Sequence, residues 1–210
     1  GDLEMWEEAT NSLKSALEKL GVDYSIDEGG GVFYGPKIDM KIRDALNRSW
    51  QCTTIQFDFN LPERFKMEYI ASDGSKQRPY MIHRAIMGSL ERFVGVLIEH
   101  TVGDFPVWLA PVQATVISIT DNQSDIAKEF RNVLINEGIR TELNDKSDTI
   151  GAKIREAEVQ KIPYMFILGE REAENKTVSV RRRKVGDKGV FNWKDAVKLI
   201  NEEIKIKGEI

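Results

Sequence analysis

The 210-residue chain is long enough for one large domain or two modest ones, each with its own hydrophobic core. Its composition, 41% hydrophobic and 30% charged, is that of a globular protein and excludes a collagen-like or low-complexity chain. A single cysteine, Cys52, excludes an internal disulfide and fits a reducing compartment, which predicts a cytoplasmic protein. No apolar run approaches the ~20 residues that would cross a bilayer, so no membrane partner is expected.

The first half of the sequence predicts a helix followed by a mostly antiparallel sheet. Apolar residues at helical spacing predict a helix over residues 4–20. Alternation of apolar and polar residues predicts strands at 37–44 and 52–61, and a strand–turn–strand segment over 65–86. One face of this sheet carries glutamine, threonine and aspartate, which is unusual unless that face lines a polar pocket. The helical period returns between about residues 88 and 100.

The second half alternates strands with helices after a turn-rich linker, residues 102–111. The predicted strands are 112–120, 139–143, 163–169 and 176–185. The predicted helices are 121–137, 148–161 and 193–206. This order indicates an α/β domain with a largely parallel or mixed sheet. We therefore predict an α+β antiparallel-sheet domain at residues 1–105, followed by an α/β mixed-sheet domain at 106–210.

Spacing alone does not predict a metal site. Cys52, His83 and His100 share no CxxC or HxxxH pattern, and a lone histidine in an apolar run is more often structural. His100, at the end of a helix, is explained by the helix dipole. The net charge is −4, but residues 171–188 carry a local excess of basic residues, which fits either a solvated segment or a phosphate contact.

The polar sheet face is the stronger indication of a binding site. Gln51, Thr54, Gln56 and His83 lie on the predicted strands or directly beside them, and Arg92 lies in the first turns of the next helix. The amino end of a helix suits an anion, and an arginine there can stack on a purine or contact phosphate oxygens. From the sequence pattern alone, a surface Glu–Arg pair on an amphipathic helix is the favoured explanation of Arg92.

The segment "RPYMIHRAIMGSLERFVGVLIEH", residues 78–100, resembles motif 3 of the class II aminoacyl-tRNA synthetases. Together with "FYGPKID" (33–39), "WQCTTIQFDF" (50–59) and "WLAPVQ" (108–113), it resembles the threonyl-tRNA synthetase family in particular. The resemblance covers the chain in order. It implies part of a class II synthetase catalytic domain followed by an anticodon-binding domain, with the rest of the catalytic domain, motifs 1 and 2, upstream of Gly1.

The resemblance implies ligation of L-threonine to tRNA(Thr) through a threonyl-adenylate, with Mg²⁺ accompanying ATP. It assigns ATP binding to Arg92, Gln51, Thr54 and Ser89, the first three as catalytic residues. It places Tyr34 and Gln56 at the threonine, and Lys37, a further catalytic residue, near the carboxylate and phosphate. His83 matches one ligand of the family's Zn²⁺ and so also contacts the substrate; the other ligands are expected upstream.

In the second domain the resemblance implies that Glu172 and Arg181 read the anticodon, with Arg182, Arg183 and Lys184 as phosphate contacts. The loop 145–149 departs from the family pattern, with Ser147 where an asparagine often reads a base. The family acts as a homodimer. We expect the chain by itself to be inactive in adenylation, and the alternative is a non-catalytic RNA-binding module derived from a synthetase.

Overall fold

A computed structural model describes residues 3–207. Its internal contacts divide the chain into two compact units, which we call unit 1 (Gly1–His100) and unit 2 (Thr101–Ile210). Each unit is described by itself, and the domain boundary after residue 105 stays a prediction. Within the described range, every helix is too short or too polar to cross a bilayer.

Unit 1 contains three helices and five strands among its described residues, and the predicted long helices and strands are confirmed. The helices are α1 (Leu3–Leu20), α2 (Asn60–Arg64) and α3 (Leu90–Thr101), the last of which ends just past the unit boundary. The strands are β1 (Lys37–Arg43), β2 (Ser49–Asp58), β3 (Tyr69–Ile70), β4 (Lys76–Gln77) and β5 (Met81–Ala85). The short helix α2 was not predicted from the sequence.

The main sheet of unit 1 has the order β1-β2-β5, and both pairings are antiparallel, as predicted. The segment predicted as strand–turn–strand is divided: β3 and β4 form a separate hairpin around Gly74, whose φ is +80°, and β5 joins the main sheet. On the apolar side, an edge-to-face cluster of rings connects Trp6 of α1 to Phe59 and Tyr80 (centroids 6.2 and 5.8 Å apart).

Unit 2 begins with the strand β6 (Ala114–Ser118) and a 3₁₀ helix, Asp121–Gln123. The helices that follow are α4 (Ser124–Asn136), α5 (Ile150–Val159), α6 (Glu170–Asn175) and α7 (Trp193–Ile206). The remaining strands are β7 (Thr141–Asn144), β8 (Tyr164–Leu168), β9 (Thr177–Arg182) and β10 (Gly186–Asn192).

The five strands of unit 2 form one mixed sheet in the order β10-β9-β8-β6-β7. β6 pairs in parallel with β7 and β8, whereas β9 pairs antiparallel with β8 and β10. The predicted mixed-sheet α/β class is therefore confirmed. The sequence pattern missed β10: residues 176–185 were predicted as one strand, but the chain turns after Arg182, where Lys184 and Gly186 take positive φ values of +64° and +100°.

The two faces of this sheet pack against different helices. Ala127, Phe130 and Leu134 of α4 share a core with Val178 and Val180 of β9, and α7 joins the same face. Ala157 of α5 packs on the opposite face with Ile117 and Met165. We call these the α4/α7 face and the α5 face. The division matters because Arg181, next to Val180, faces the α5 side.

Candidate functional site

The polar face of the sheet in unit 1 is built in two rows across its strands. In the first row, Gln56 pairs with Lys37 on β1 and with His83 on β5. In the second row, Thr54 pairs with Asp39 on β1. Residues that pair directly across a ladder share a face, so the register brings these side chains together on one surface.

A β-bulge adds Gln51 to this surface. By simple alternation Gln51 would share the face of Ile55, away from Thr54. The register shifts between Met40 and Lys41, so that β2 has one extra residue there. Beyond this bulge, the residues of β2 that face the polar side are odd-numbered instead of even-numbered. As a result the Gln51 amide donates to Asp39 Oδ1 at 2.6 Å and to Thr54 Oγ1 at 2.9 Å.

Asp39 is the centre of the hydrogen bonds on this face. Its carboxylate accepts from Gln51, from Thr54 Oγ1 (2.7 Å) and from the Lys37 ammonium (2.6 Å). Burial would raise the pKa of Asp39, but the hydrogen bonds from Lys37 and Thr54 outweigh it and hold the pKa below its ordinary value. Lys37 is thereby held in place as a cation on the polar face.

Tyr34 is positioned beside Gln56 by the chain that precedes β1. Tyr34 O and Pro36 O accept from Phe59 N and Phe57 N, so this segment runs along the end of β2. A Cβ on Gly35 would lie 2.1 Å from Phe57 O, which explains the glycine. The Tyr34 hydroxyl donates to Gln56 Oε1 at 3.2 Å, and Gln56 is buried.

His83 is paired with Asp58, whose carboxylate also binds backbone N–H groups. Its Nε2 lies 2.9 Å from Asp58 Oδ2, while Asp58 Oδ1 accepts from the N–H groups of Asn60 and Leu61 at the start of α2. Burial opposes ionisation of Asp58, but these backbone bonds and His83 lower its pKa. The imidazole is half exposed, and its orientation is fixed through Nε2.

Residues 3–207 bring together no group of three histidine, cysteine, aspartate or glutamate side chains that could hold a metal. Cys52 is buried within β2, and His100 lies in the last turn of α3. His83 therefore fits at most one position of a metal site. A zinc ion at this face would require ligands from outside the described residues.

The beginning of α3 lies against the bulge of β2. Met87 and Gly88 both have positive φ, and a Cβ on Gly88 would lie 2.7 Å from Cys52 O. Ser89 caps the helix, because its Oγ accepts from Arg92 N at 3.3 Å. Ser89 also donates to Glu91 (2.7 Å), which lowers the pKa of that carboxyl.

Arg92 extends from α3 over the indole of Trp50, with its Cζ 5.8 Å from the ring centroid. Its Nη1 donates to Gln51 O at 3.3 Å. Trp50 is itself held, because its indole N–H donates to Asp44 Oδ2 at 2.8 Å. The exposed guanidinium is thus anchored at the edge of the polar face with other donors still available.

Three residues of this site were missed as functional candidates in the sequence. Asp39 and Asp58 lie two positions from Lys37 and Gln56, so strand alternation was the signal that could have added them. For Trp50 the sequence gives no signal, since its contact with Arg92 depends on where α3 begins. The structure therefore places all eight predicted residues of unit 1 on or beside one surface: Tyr34, Lys37, Gln51, Thr54, Gln56, His83, Ser89 and Arg92.

In unit 2 the two predicted anticodon residues do not contact each other. Glu172 follows the carboxyl end of β8, where its Oε2 accepts from Gly169 N at 3.1 Å. Arg181 pairs with Met165 near the beginning of β8, about 10 Å along the strand from Leu168. They border the same strand at different ends.

In the basic run 181–184, three side chains form close ion pairs within unit 2, and the guanidinium of Arg181 does not. Arg182 binds Glu203 at 2.6 Å and lies over the Tyr164 ring. Arg183, which is buried, and Lys184 both pair with Asp104. In contrast, the Arg181 side chain makes no hydrogen bond with the described residues, and the Glu158 carboxylate lies 3.7 Å from its Nε. These ion pairs weaken the prediction that residues 182–184 contact phosphates.

Two family models match the two units. Residues 3–101 match the tRNA synthetase class II core domain (G, H, P, S and T), and residues 113–203 match the anticodon binding domain. The first match contains the polar face with α3, and the second contains Glu172 and Arg181.

Similar proteins match most of the length of the chain. The threonine–tRNA ligase of Clostridium novyi (strain NT) is 54% identical over 207 residues, which are 99% of this chain and 32% of that protein. The threonine–tRNA ligase of Nitrosococcus oceani is 57% identical over 188 residues, 90% of this chain and 29% of that protein. This chain therefore spans about a third of the length of the curated relatives it matches.

A solved structure has the same fold. The RNA binding domain of threonyl-tRNA synthetase from Cryptosporidium parvum Iowa II superposes with a TM-score of 0.90 at 41% identity. The match covers 97% of this chain and 52% of that chain. The arrangement of the two units in sequence is thus that of a catalytic-core segment followed by an anticodon-binding domain.

Proposed function

Because the chain belongs to the threonyl-tRNA synthetase family and corresponds to its C-terminal portion, we propose that it forms part of an enzyme that joins L-threonine to tRNA(Thr) with ATP. Unit 1 supplies the motif 3 ATP site and part of the threonine site, and unit 2 reads the anticodon. One observation carries this proposal: the register of the sheet, with the bulge in β2 and the Gly88 turn, brings eight predicted residues onto or beside a single polar surface.

Arg92 is proposed to stack on the adenine and contact the phosphates of ATP. Its guanidinium is planar and anchored through Gln51 O, which suits a flat purine better than a flexible ammonium would. Gln51, Thr54 and Ser89 are proposed to hold the ribose and adenine side. Mg²⁺ accompanies ATP as in other class II synthetases and neutralises its phosphates.

Adenylation is attack of the threonine carboxylate oxygen on the α-phosphorus of ATP, with pyrophosphate leaving. This reaction needs positioning and charge neutralisation more than covalent help from the protein. Lys37, held by Asp39 on the polar face, is proposed to neutralise charge near the carboxylate and the α-phosphate. The salt bridge to Asp39 also limits the motion of the Lys37 side chain, so this side chain loses less conformational entropy when substrates bind.

Threonine is proposed to lie against Gln56 and His83 of the first row and against Tyr34, whose hydroxyl donates to Gln56. In the family a bound Zn²⁺ would act as a Lewis acid and accept the substrate hydroxyl as a ligand. Valine has the same shape as threonine but no hydroxyl, so a pocket that recognised shape alone would not exclude it. His83 would be one ligand, through the nitrogen that Asp58 leaves available. The described residues bring together no group of three ligands, so the remaining ligands would come from outside them.

The anticodon of threonine tRNAs ends in G-U, and Arg181 is proposed to read the guanine. Its guanidinium makes no hydrogen bond with the described residues, whereas each of its three neighbours in the run is paired at close range. Arginine donating to guanine O6 and N7 is the commonest specific base contact. Glu172 is proposed to contribute from the carboxyl edge of β8. The complete enzyme is proposed to be a cytoplasmic homodimer.

The proposal is tested by a chimera in which the upstream two-thirds of the Clostridium novyi relative is joined to this chain. We expect threonylation of tRNA(Thr), which Arg92→Ala in the chimera abolishes while anticodon stem-loop binding is retained. The 210-residue chain alone is expected to give no ATP–pyrophosphate exchange above background. If the chimera binds tRNA(Thr) but neither forms adenylate nor threonylates, the alternative of a non-catalytic RNA-binding module replaces this proposal.

A further inference from the structure

We propose that Glu158 of α5 is a specificity-determining residue of unit 2, because its carboxylate faces Arg181 and disfavours phosphate while leaving the guanidinium donors available to a base. This inference deepens the proposed function and rests on Arg181 as the reader of a guanine. It adds a residue from a helix that neither family resemblance nor sequence pattern connected with RNA.

The position of Arg181 determines what can approach it. Val178 and Val180 belong to the core on the α4/α7 face, so alternation along β9 turns Arg181 to the α5 face. There its Nε is buried and lacks a hydrogen bond, while about a third of the side chain (36%) is exposed. A buried Nε with an accessible end directs the rest of the guanidinium outward.

Glu158 lies close enough to pair electrostatically but too far to occupy the donors of Arg181. The Nε–Oε1 distance of 3.7 Å exceeds the 2.7–3.2 Å range of an N–H···O hydrogen bond. The carboxylate is itself half exposed (43%), so water solvates it, and it is not locked in place. The pair therefore reduces the net charge at this point without satisfying the guanidinium.

A second carboxylate reinforces this effect. Asp187 on β10 is the direct ladder partner of Arg181, and its Oδ1 accepts from Gly189 N in the bulged turn. Directly opposed residues share a face of the sheet, so Asp187 adds negative charge on the β10 side of Arg181 without forming an ion pair with it, while Glu158 lies on the α5 side. The closest basic neighbours in sequence are already paired with Glu203 and Asp104.

These charges discriminate between two ways in which RNA could bind Arg181. A phosphate would bring a full negative charge next to two carboxylates, and the repulsion cancels part of the attraction to the guanidinium. A guanine edge accepts two hydrogen bonds through O6 and N7 with no net charge, so it is affected far less. Glu158 thus raises selectivity for the base at some expense in overall affinity.

The test uses the full 210-residue chain and two RNA hairpins, one with G-U at the last two anticodon positions and one with A-U. Dissociation constants are measured by fluorescence anisotropy at several salt concentrations. For Glu158→Gln we expect tighter binding of both hairpins and a G-over-A ratio reduced by about two- to fivefold, the range of an exposed ion pair. The slope of log K against log salt should steepen by up to about one phosphate contact.

Glu202→Gln is the matched control. It makes the same change of charge on α7, which packs on the opposite face of the sheet, and Glu202 pairs with Lys198 at a similar distance of 3.8 Å. This variant should leave the G-over-A ratio unchanged. In an Arg181→Ala background, Glu158→Gln should also leave the ratio unchanged, because the selective donor is absent.

The proposal is overturned if Glu158→Gln keeps the wild-type ratio, or if the ratio falls equally with and without Arg181. A wild-type chain that binds both hairpins equally overturns the proposed role of Arg181, and this inference with it. Circular dichroism spectra identical to wild type are required of each variant, and the exposed position of Glu158 makes retention of the fold the expected result.

Discussion

The Gln51 amide donates to Asp39 at 2.6 Å although Gln51 has the same strand parity as Ile55, which faces the other side of the sheet. At the same bulge, the carbonyl oxygen of Gln51 accepts a hydrogen bond from Arg92, and Gly88 lies against Cys52 O. One irregularity in β2 therefore positions residues from β1, β2 and α3. A regular strand would have placed Gln51 and Thr54 on opposite faces.

Asp39→Asn should weaken both the fold and the site. The substitution removes the charge that pairs with Lys37 and exchanges one acceptor for a donor that faces Gln51 and Thr54. We expect a loss of about 1–3 kcal/mol in the free energy of unfolding, the cost of an unsatisfied group in a partly buried network. Urea denaturation followed by circular dichroism measures it.

The control for Asp39→Asn is the same substitution at Asp23, which is exposed and lies outside the network. Asp23→Asn should shift the urea midpoint within experimental error. Equal midpoints for the wild type and Asp39→Asn would contradict the central role assigned to Asp39. In the chimera, Asp39→Asn should also raise KM for ATP or threonine.

Gly35→Ala should disrupt the approach of Tyr34 to Gln56. The added methyl would lie 2.1 Å from Phe57 O, and backbone on both sides resists displacement. Overpacking of this kind costs about 1–3 kcal/mol, and more if the strand must shift. The expected readouts are a lower urea midpoint and, in the chimera, a higher KM for threonine.

Gly95→Ala provides the contrast, because no atom lies within 4 Å of the position where its Cβ would be, in the middle of α3. Alanine is the better helix former, so this variant should gain about 0.5–1 kcal/mol. If both variants change stability equally, the close approach at Gly35 does not determine the effect.

Acid should destabilise unit 1 through Asp44. Burial raises the pKa of this carboxyl, but hydrogen bonds from Trp50 and Arg48 outweigh it and lower the pKa from 3.8 to about 2. A folded-state pKa below the unfolded value stabilises the fold above pH 3.8, and the contribution is lost as the pH falls through about 2. The melting temperature should fall over this window.

Asp44→Asn isolates that contribution. The variant should have a lower melting temperature at pH 6, because it loses charge-assisted bonds to Arg48 and Trp50. Its melting temperature should then depend less on pH between 4 and 2 than that of the wild type. Parallel curves for the two proteins would mean that other carboxylates, such as Asp39 and Asp58, determine the acid response.

Much of the fold follows from periodicity, and most of the rest depends on irregular features. The alternation in residues 37–44 predicted β1, and the helical spacing before Gly21 predicted α1, because each pattern is long and regular. The hairpin that contains β10 was missed because Lys184 adopts positive φ without a residue type that signals it. The helix predicted over 121–137 is divided, because residues Asp121–Gln123 form a 3₁₀ turn and α4 begins only at Ser124.

The site was predictable to the extent that it lies on strands. Lys37, Gln56 and His83 form one row whose members are 19 to 46 residues apart, and only the register of β2 with both neighbours brings them together. The strand pattern placed Gln56 and His83 on the polar face, but only the resemblance in sequence added Lys37 to them. Trp50 was missed because its role depends on tertiary contact with Arg92.

Arg181→Lys tests whether unit 2 reads a base through the geometry of a guanidinium or only through its charge. Lysine keeps the positive charge, so binding that depends on phosphate should change little and the salt dependence should be retained. A bidentate contact to guanine would be lost, at a cost of about 1–3 kcal/mol for the G-U hairpin and little for the A-U hairpin. Isothermal titration calorimetry with both hairpins measures the difference. An equal loss for the two RNAs would identify Arg181 as a phosphate contact, because only base readout distinguishes guanine from adenine at the same position.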